Sequence, residues 1–282
     1  MNNTFDSLLS PIVFKAYEGM DNYIIEKVSD KKLAVIYCSS NGIYYPNEYD
    51  IFKRYMLDAN KFEWIKRDWK IKDAGLNIYI RDVFKQWYIK GINSQINSID
   101  KLINFIKDKV SGYDIIVLGS SAGGYIATIL GCRLNAKYVL NFAGQFDLTF
   151  QDKNNRYIWE YIENENKTEF KNIKDLIEKS KTDIFYFVGS KSEIDKKDLE
   201  VANEIKKNLY IFKFDSKIHG IPFEVTVLKY LINKSRYELK ALYDKYKGFE
   251  INRYLFEISI VGIYKFLNIY KNKLIQKIVR KI

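Results

Sequence analysis

Four residue types at defined separations could together perform acyl chemistry. Ser121 lies at the centre of Gly119-Ser120-Ser121-Ala122-Gly123, a G-x-S-x-G pentapeptide. It follows the unbroken apolar run Ile115-Ile116-Val117-Leu118, and a second apolar run at helical spacing comes after it. Glycines two before and two after the serine let a strand and a helix meet closely, with the hydroxyl exposed on a strained turn. A serine hydroxyl is a weak nucleophile until a base takes its proton, and that base is usually a histidine oriented by a carboxylate. The chain contains a single histidine, His219, placed just after the predicted strand Leu209 to Phe214 and before a predicted helix. The carboxylate candidates are Asp195 first, at the start of a predicted helix, then Glu193 and Asp147. Asp198 reads as a solvated helix residue, and Asp215 is too close to His219 along the chain. Asp195 also has a simpler reading, as an N-cap accepting backbone N–H groups.

An acyl-transfer intermediate needs two hydrogen-bond donors on its oxyanion. The N–H of Ala122, directly after the nucleophile, is one candidate. The small-polar loop Ser39-Ser40-Asn41-Gly42 offers the other, at Ser40 or Asn41, although it also reads as a plain tight turn. Trp87, Tyr88 and Trp159 are candidate stacking surfaces for a sugar, set against the commoner role of aromatics as core residues. A metal site is not expected, because one histidine and two distant cysteines leave no usual ligand cluster.

The elements that must hold these residues follow from periodicity. Short apolar runs at Tyr23 to Val28, Leu33 to Tyr37, Leu76 to Ile80, Asp114 to Leu118, Lys137 to Phe142, Ile184 to Val188 and Leu209 to Phe214 read as strands. Segments with helical spacing separate several of them. Ile92, Ile96, Ile99, Leu102, Ile103 and Ile106 predict one amphipathic helix from Ile92 to Val110. Strands alternating with helices predict a mostly parallel sheet covered on both faces. We therefore expect one α/β catalytic domain over 1–235, with a small helical insertion near 154–171, and a basic helical extension over 236–282.

With those residues in place, the chain resembles the α/β-hydrolase superfamily of serine enzymes over roughly residues 30 to 235. The resemblance implies an α/β-hydrolase fold, Ser121 as nucleophile, His219 as base and Asp195 as acid. Through Ser39-Ser40-Asn41-Gly42 and the Trp87-Tyr88 loop it is similar, more narrowly, to α/β-hydrolase-like proteins of bacterial capsule loci. That likeness implies O-acetylation of a surface polysaccharide, with acetyl-CoA as co-substrate and no bound cofactor. The oxyanion loop departs from the His-Gly-Gly-Gly form of many esterases. Hydrolysis of a carbohydrate or small-molecule ester, and a non-catalytic assembly role on a hydrolase scaffold, stand as alternatives.

Composition bounds the partners. The 282 residues carry 46 basic and 35 acidic side chains, a formal charge of +11, with 23 Tyr and 18 Phe. Such an excess favours polyanions, among them an acidic polysaccharide or the phosphates of coenzyme A. No zinc spacing, RNP-like string or Gly-Lys phosphate loop supports nucleic acid. Cys38 and Cys132 read as buried free thiols, which suits a reducing cytoplasm. No signal peptide or membrane-spanning stretch is apparent. From Lys265 to Ile282, Lys265, Lys271, Lys273, Lys277, Arg280 and Lys281 meet no acidic residue, while Leu267, Tyr270, Leu274, Ile278 and Ile282 keep helical spacing. Such a helix suits the surface of an anionic inner membrane, or packing of its apolar face on the domain.

Overall fold

The computed structural model describes residues 6, 9–65, 67–151, 155–164 and 169–279, without the side chains of 67 and 277–279. Parts of the expected insertion, at 154 and 165–168, and Arg280, Lys281 and Ile282 of the basic helix lie outside the described residues, as do the side chains of Lys277 and Ile278.

Seven strands form one sheet: β1 (Tyr23–Lys27), β2 (Leu33–Cys38), β3 (Leu76–Ile80), β4 (Asp114–Ser120), β5 (Tyr138–Phe142), β6 (Asp183–Gly189) and β7 (Leu209–Phe214). Their order is β1-β3-β2-β4-β5-β6-β7. Only β1 runs antiparallel, on the outer edge of β3, and the remaining pairings are parallel. Strands β2 to β6 are almost wholly buried along their length, as expected of parallel strands covered on both faces. This arrangement is the α/β-hydrolase fold.

The helices are α1 (Pro11–Gly19), α2 (Tyr49–Phe52), α3 (Ile99–Lys109), α4 (Ala122–Arg133), α5 (Arg156–Glu163), α6 (Lys174–Lys179), α7 (Lys196–Glu204), α8 (Val225–Leu231), α9 (Arg236–Tyr246), α10 (Arg253–Val261) and α11 (Ile263–Val279). One sheet face packs against α3 to α7 through Leu102, Ile126, Leu130, Ile158, Ile177 and Ala202. The other packs against α8, α9 and α10 through Leu228, Leu231, Leu239 and Phe256. Each large apolar side chain among these, fully buried, contributes about 1.5–3 kcal/mol of transfer free energy. Within 236–282, therefore, α9 and α10 bury residues in the same core as the sheet. Among the described residues no helix is long and apolar enough to cross a membrane.

The predicted helix from Ile92 begins seven residues late, at Ile99. Asn93 is the cause: its Oδ1 accepts the N–H groups of Gln95 and Ile96, offering the backbone an alternative to helix. Ser98 then caps the helix by accepting the Lys101 N–H. Ile92 and Ile96 are still buried, so their apolar character reflects packing and not helical phase.

After β2 the chain moves outward to β3, then returns over the sheet through α3 to β4. The C-terminal ends of β2 and β4 thus flank a point where strand order reverses, the usual position of a ligand crevice in open α/β sheets.

Candidate active site

Ser121 occupies the sharp turn between β4 and α4, with φ 53° and ψ −126°. For a non-glycine residue this backbone costs on the order of 1–3 kcal/mol and must be imposed by its surroundings. The two motif glycines allow that. A Cβ on Gly119 would lie 2.1 Å from the Gly123 carbonyl oxygen, and one on Gly123 would lie 2.3 Å from that of Cys38. Strand, helix and the β2 loop therefore meet backbone to backbone. The α4 helix is buried from Ala122 through Cys132, which fixes the turn from behind.

His219, in the loop after β7, reaches this turn. Its Nε2 lies 2.8 Å from Ser121 Oγ, and its Nδ1 lies 2.6 Å from Asp195 Oδ1. The arrangement requires the Nδ1–H tautomer, donating to the carboxylate while Nε2 accepts the serine O–H. Asp195 stands at the N-cap position of α7, but its side chain makes no cap hydrogen bond and turns to the histidine. It is fully buried, whereas the His219 side chain retains 26% exposure. The buried carboxylate on Nδ1 holds the imidazole with Nε2 turned to Ser121 Oγ.

The other acid candidates lie elsewhere. Glu193 is exposed. Asp147 accepts hydrogen bonds from Thr149 N–H, Thr149 Oγ1 and Asn172 Nδ2, holding a turn after β5. Asp215 pairs with Lys191. Asp198 corrects the expectation of a solvated residue: it is buried, its Oδ1 accepts the Phe146 N–H at 2.7 Å, and burial pushes its carboxyl up to about 7.

Of the oxyanion candidates, Ala122 is the first residue of α4, where an N–H has no partner within the helix. Ser40 gives its N–H to Glu63 Oε2 at 2.5 Å and its hydroxyl to Glu63 Oε1 at 3.1 Å. Its backbone donor is thus taken in this arrangement. Asn41 opens a short 3-10 turn, where its N–H likewise has no partner within the turn. Cys38 pairs with Gly119 in parallel register, which places the Ser39-to-Asn41 loop beside the Ser121 turn.

The aromatic loop after β3 has a role that the sequence did not reveal. Lys85, Trp87 and Tyr88 all have left-handed backbones, with φ of 58°, 50° and 61°. The buried Asp82 carboxylate ties them down, accepting the N–H groups of Phe84, Gln86 and Tyr88 at 2.9, 2.7 and 3.0 Å. Burial raises Asp82 to about 6 and lowers Lys85 to about 7. The loop in turn braces the Ser39-to-Gly42 loop: Tyr88 donates its O–H to the Ser39 carbonyl at 2.7 Å, and Asn41 Nδ2 donates to the Lys85 carbonyl at 3.1 Å. Tyr88 is therefore a fully buried strut, not a sugar-stacking surface. Trp87 is also buried and donates Nε1–H to Gln145 Oε1 at 2.7 Å. Trp159, on α5, is partly buried against the same core. An Asp whose partners lie two, four and six residues on leaves no periodic signal, so Asp82 went unmarked.

No protein-family model matches the sequence, and neither does any curated protein. Among solved structures, the chain is similar to the capsule O-acetyltransferase of Neisseria meningitidis serogroup A in complex with caged gadolinium, with a TM-score of 0.48 at 16% identity, covering 80% of this chain and 90% of that one. A protein with unknown function from Staphylococcus aureus subsp. aureus Mu50 gives 0.46 at 12% identity, covering 79% and 91%. A lipase-esterase related protein from Clostridium acetobutylicum ATCC 824 gives 0.41 at 14% identity, covering 80% and 98%.

Proposed function

We propose that this α/β-hydrolase-fold chain transfers acyl groups through a covalent ester on Ser121, with His219 as general base and acid and Asp195 as its orienting carboxylate. The observation that carries the reading is the unbroken relay from Ser121 Oγ through His219 to Asp195, at 2.8 and 2.6 Å. A scaffold that had lost catalysis would not need to keep a strained serine in register with a buried carboxylate.

In the first half-reaction Ser121 Oγ attacks the acyl carbonyl while its proton passes to His219 Nε2. The oxyanion draws on the N–H groups of Ala122 and Asn41. Collapse of the intermediate expels the donor's leaving group, protonated by His219, and leaves acyl-Ser121. In the second half an acceptor O–H gives its proton to His219 and attacks the ester, which returns Ser121 with its proton.

The acceptor in this reading is a carbohydrate hydroxyl of a surface polysaccharide, and the donor is acetyl-CoA. Support comes from the sequence resemblance to capsule-locus proteins and from the +11 charge, which suits the coenzyme's phosphates or an acidic polymer. Hydrolysis is the second reading, and the partial exposure of His219 favours it, because water can reach the base. The test follows free CoA and ester formation from acetyl-CoA with and without acidic polysaccharides, using Ser121→Ala as control. Acetyl on sugar, dependent on Ser121, supports transfer. CoA release indifferent to any acceptor supports hydrolysis, and full activity in Ser121→Ala removes both.

A further inference from the structure

The outer face of α11 is apolar and uncovered. With about 100° per residue, Ile263, Leu274, Leu267, Lys271, Tyr264 and Ile275 fall within a sector of about 120°. All are exposed, Tyr264 at 88% and Leu274 at 61%. Beside that sector the helix is docked: Ile269 packs on the core, Phe266 and Tyr270 meet Tyr254 of α10, and the Tyr270 O–H donates to Glu257. Lys273 pairs with Glu224, and Lys265 lies over the Tyr230 ring. The helix is thus held by one side and presents a second apolar side to solvent. Exposed apolar patches of this kind mark an interaction surface.

We propose that this face of α11 docks on an anionic lipid surface. Charge decides between occupants. The helix carries Lys265, Lys271, Lys273 and Lys277 and no acidic residue, within a chain of net charge +11. A second copy seated symmetrically on the same face would set Lys271, inside the apolar sector, against a helix bearing only cations. A polysaccharide would find only the Tyr264 hydroxyl and the Lys271 ammonium to hydrogen-bond among four apolar side chains. A membrane with acidic headgroups satisfies both features: the apolar side chains enter the headgroup boundary while the exposed Lys271 meets lipid phosphate, within the field of a chain of net charge +11. Peripheral docking of this kind is independent of the catalytic reading.

The test is sedimentation of the full chain with vesicles of mixed phosphatidylglycerol and phosphatidylcholine, and with phosphatidylcholine alone. We expect binding to the anionic vesicles at least about tenfold tighter. Leu267→Glu/Leu274→Glu should weaken it about tenfold or more, and Lys271→Gln about fivefold. All three positions are exposed, so the variants should keep the parent's melting temperature and its hydrolysis of a soluble ester. No binding to anionic vesicles, or equal binding by the double variant, overturns the proposal. So does a concentration-dependent dimer in sedimentation velocity that the double variant abolishes while vesicles stay unbound.

Discussion

Asp195 Oδ1 lies 2.6 Å from His219 Nδ1, although 24 residues and a strand separate the two. A neutral amide there would reverse the bond, presenting an N–H to the ring and favouring the wrong tautomer. Asp195→Asn should therefore lower kcat about 10³–10⁴-fold with little change in KM. Ser121→Ala should lower it at least as far. Steady-state rates on an activated acetyl ester provide the check, and an Asp195→Asn enzyme within tenfold of the parent would exclude Asp195 as the acid.

The Asn41 N–H, proposed as second oxyanion donor, can be deleted in the backbone. Asn41 opens the 3-10 turn, where a proline's fixed φ is tolerated, and Ser40 before it is extended, at φ −81° and ψ 172°, as a residue preceding proline must be. Asn41→Pro removes the N–H, while Asn41→Ala removes only the bond to the Lys85 carbonyl. Relative to Asn41→Ala, the proline variant should lose about 10²–10³ in kcat. Equal rates for the two would return the role to Ser40, which would then have to release Glu63.

Asp82 should act on the rate without touching substrate. Asp82→Asn keeps an acceptor for some of the three N–H groups and loses the rest, so the left-handed backbones at Lys85, Trp87 and Tyr88 lose part of their restraint. Tyr88 and the Lys85 carbonyl would then hold the Ser39-to-Asn41 loop less firmly. We expect kcat to fall on the order of tenfold, with KM nearly unchanged, because the loss is in transition-state positioning. A variant that melts earlier yet turns over at the parental rate would show Asp82 to be structural only.

The contrast between Asp82 and Ser121 explains what was legible in the sequence. Ser121 was readable because its strained turn demands glycine at 119 and 123, and His219 because the chain has no other histidine. The parallel sheet was readable because buried strands need unbroken apolar runs. What failed was tertiary. Asn93 redirected the backbone ahead of α3 with one side chain, and the apolar Ile92 and Ile96 disguised it. Tyr88 looked like a ligand surface, but its O–H is spent on Ser39. Asp198 carried a usable signal, since it shares a helical stripe with the buried Val201 and Ala202.

That stripe makes Asp198 a source of pH dependence. Its carboxyl rises from 3.8 to about 7 on folding, chiefly through burial. Between those values the folded chain holds a proton that the unfolded chain has released, so this group's contribution to stability falls as pH rises through that window. Above about 7 the folded state carries a buried carboxylate at full cost. Asp198→Asn removes the charge and keeps an oxygen for the Phe146 N–H, so it should stabilise the protein at pH 8 by on the order of 2 kcal/mol. As pH falls through that window the advantage should shrink, and it should vanish only below about 4, where the unfolded chain is protonated as well. Thermal melts of both proteins across this range, read alongside kcat at pH 8, provide the measurement. A gain of equal size at both ends, or a loss at pH 8, would mean that Asp198 is held as a carboxylate by partners stronger than the two backbone N–H groups it accepts.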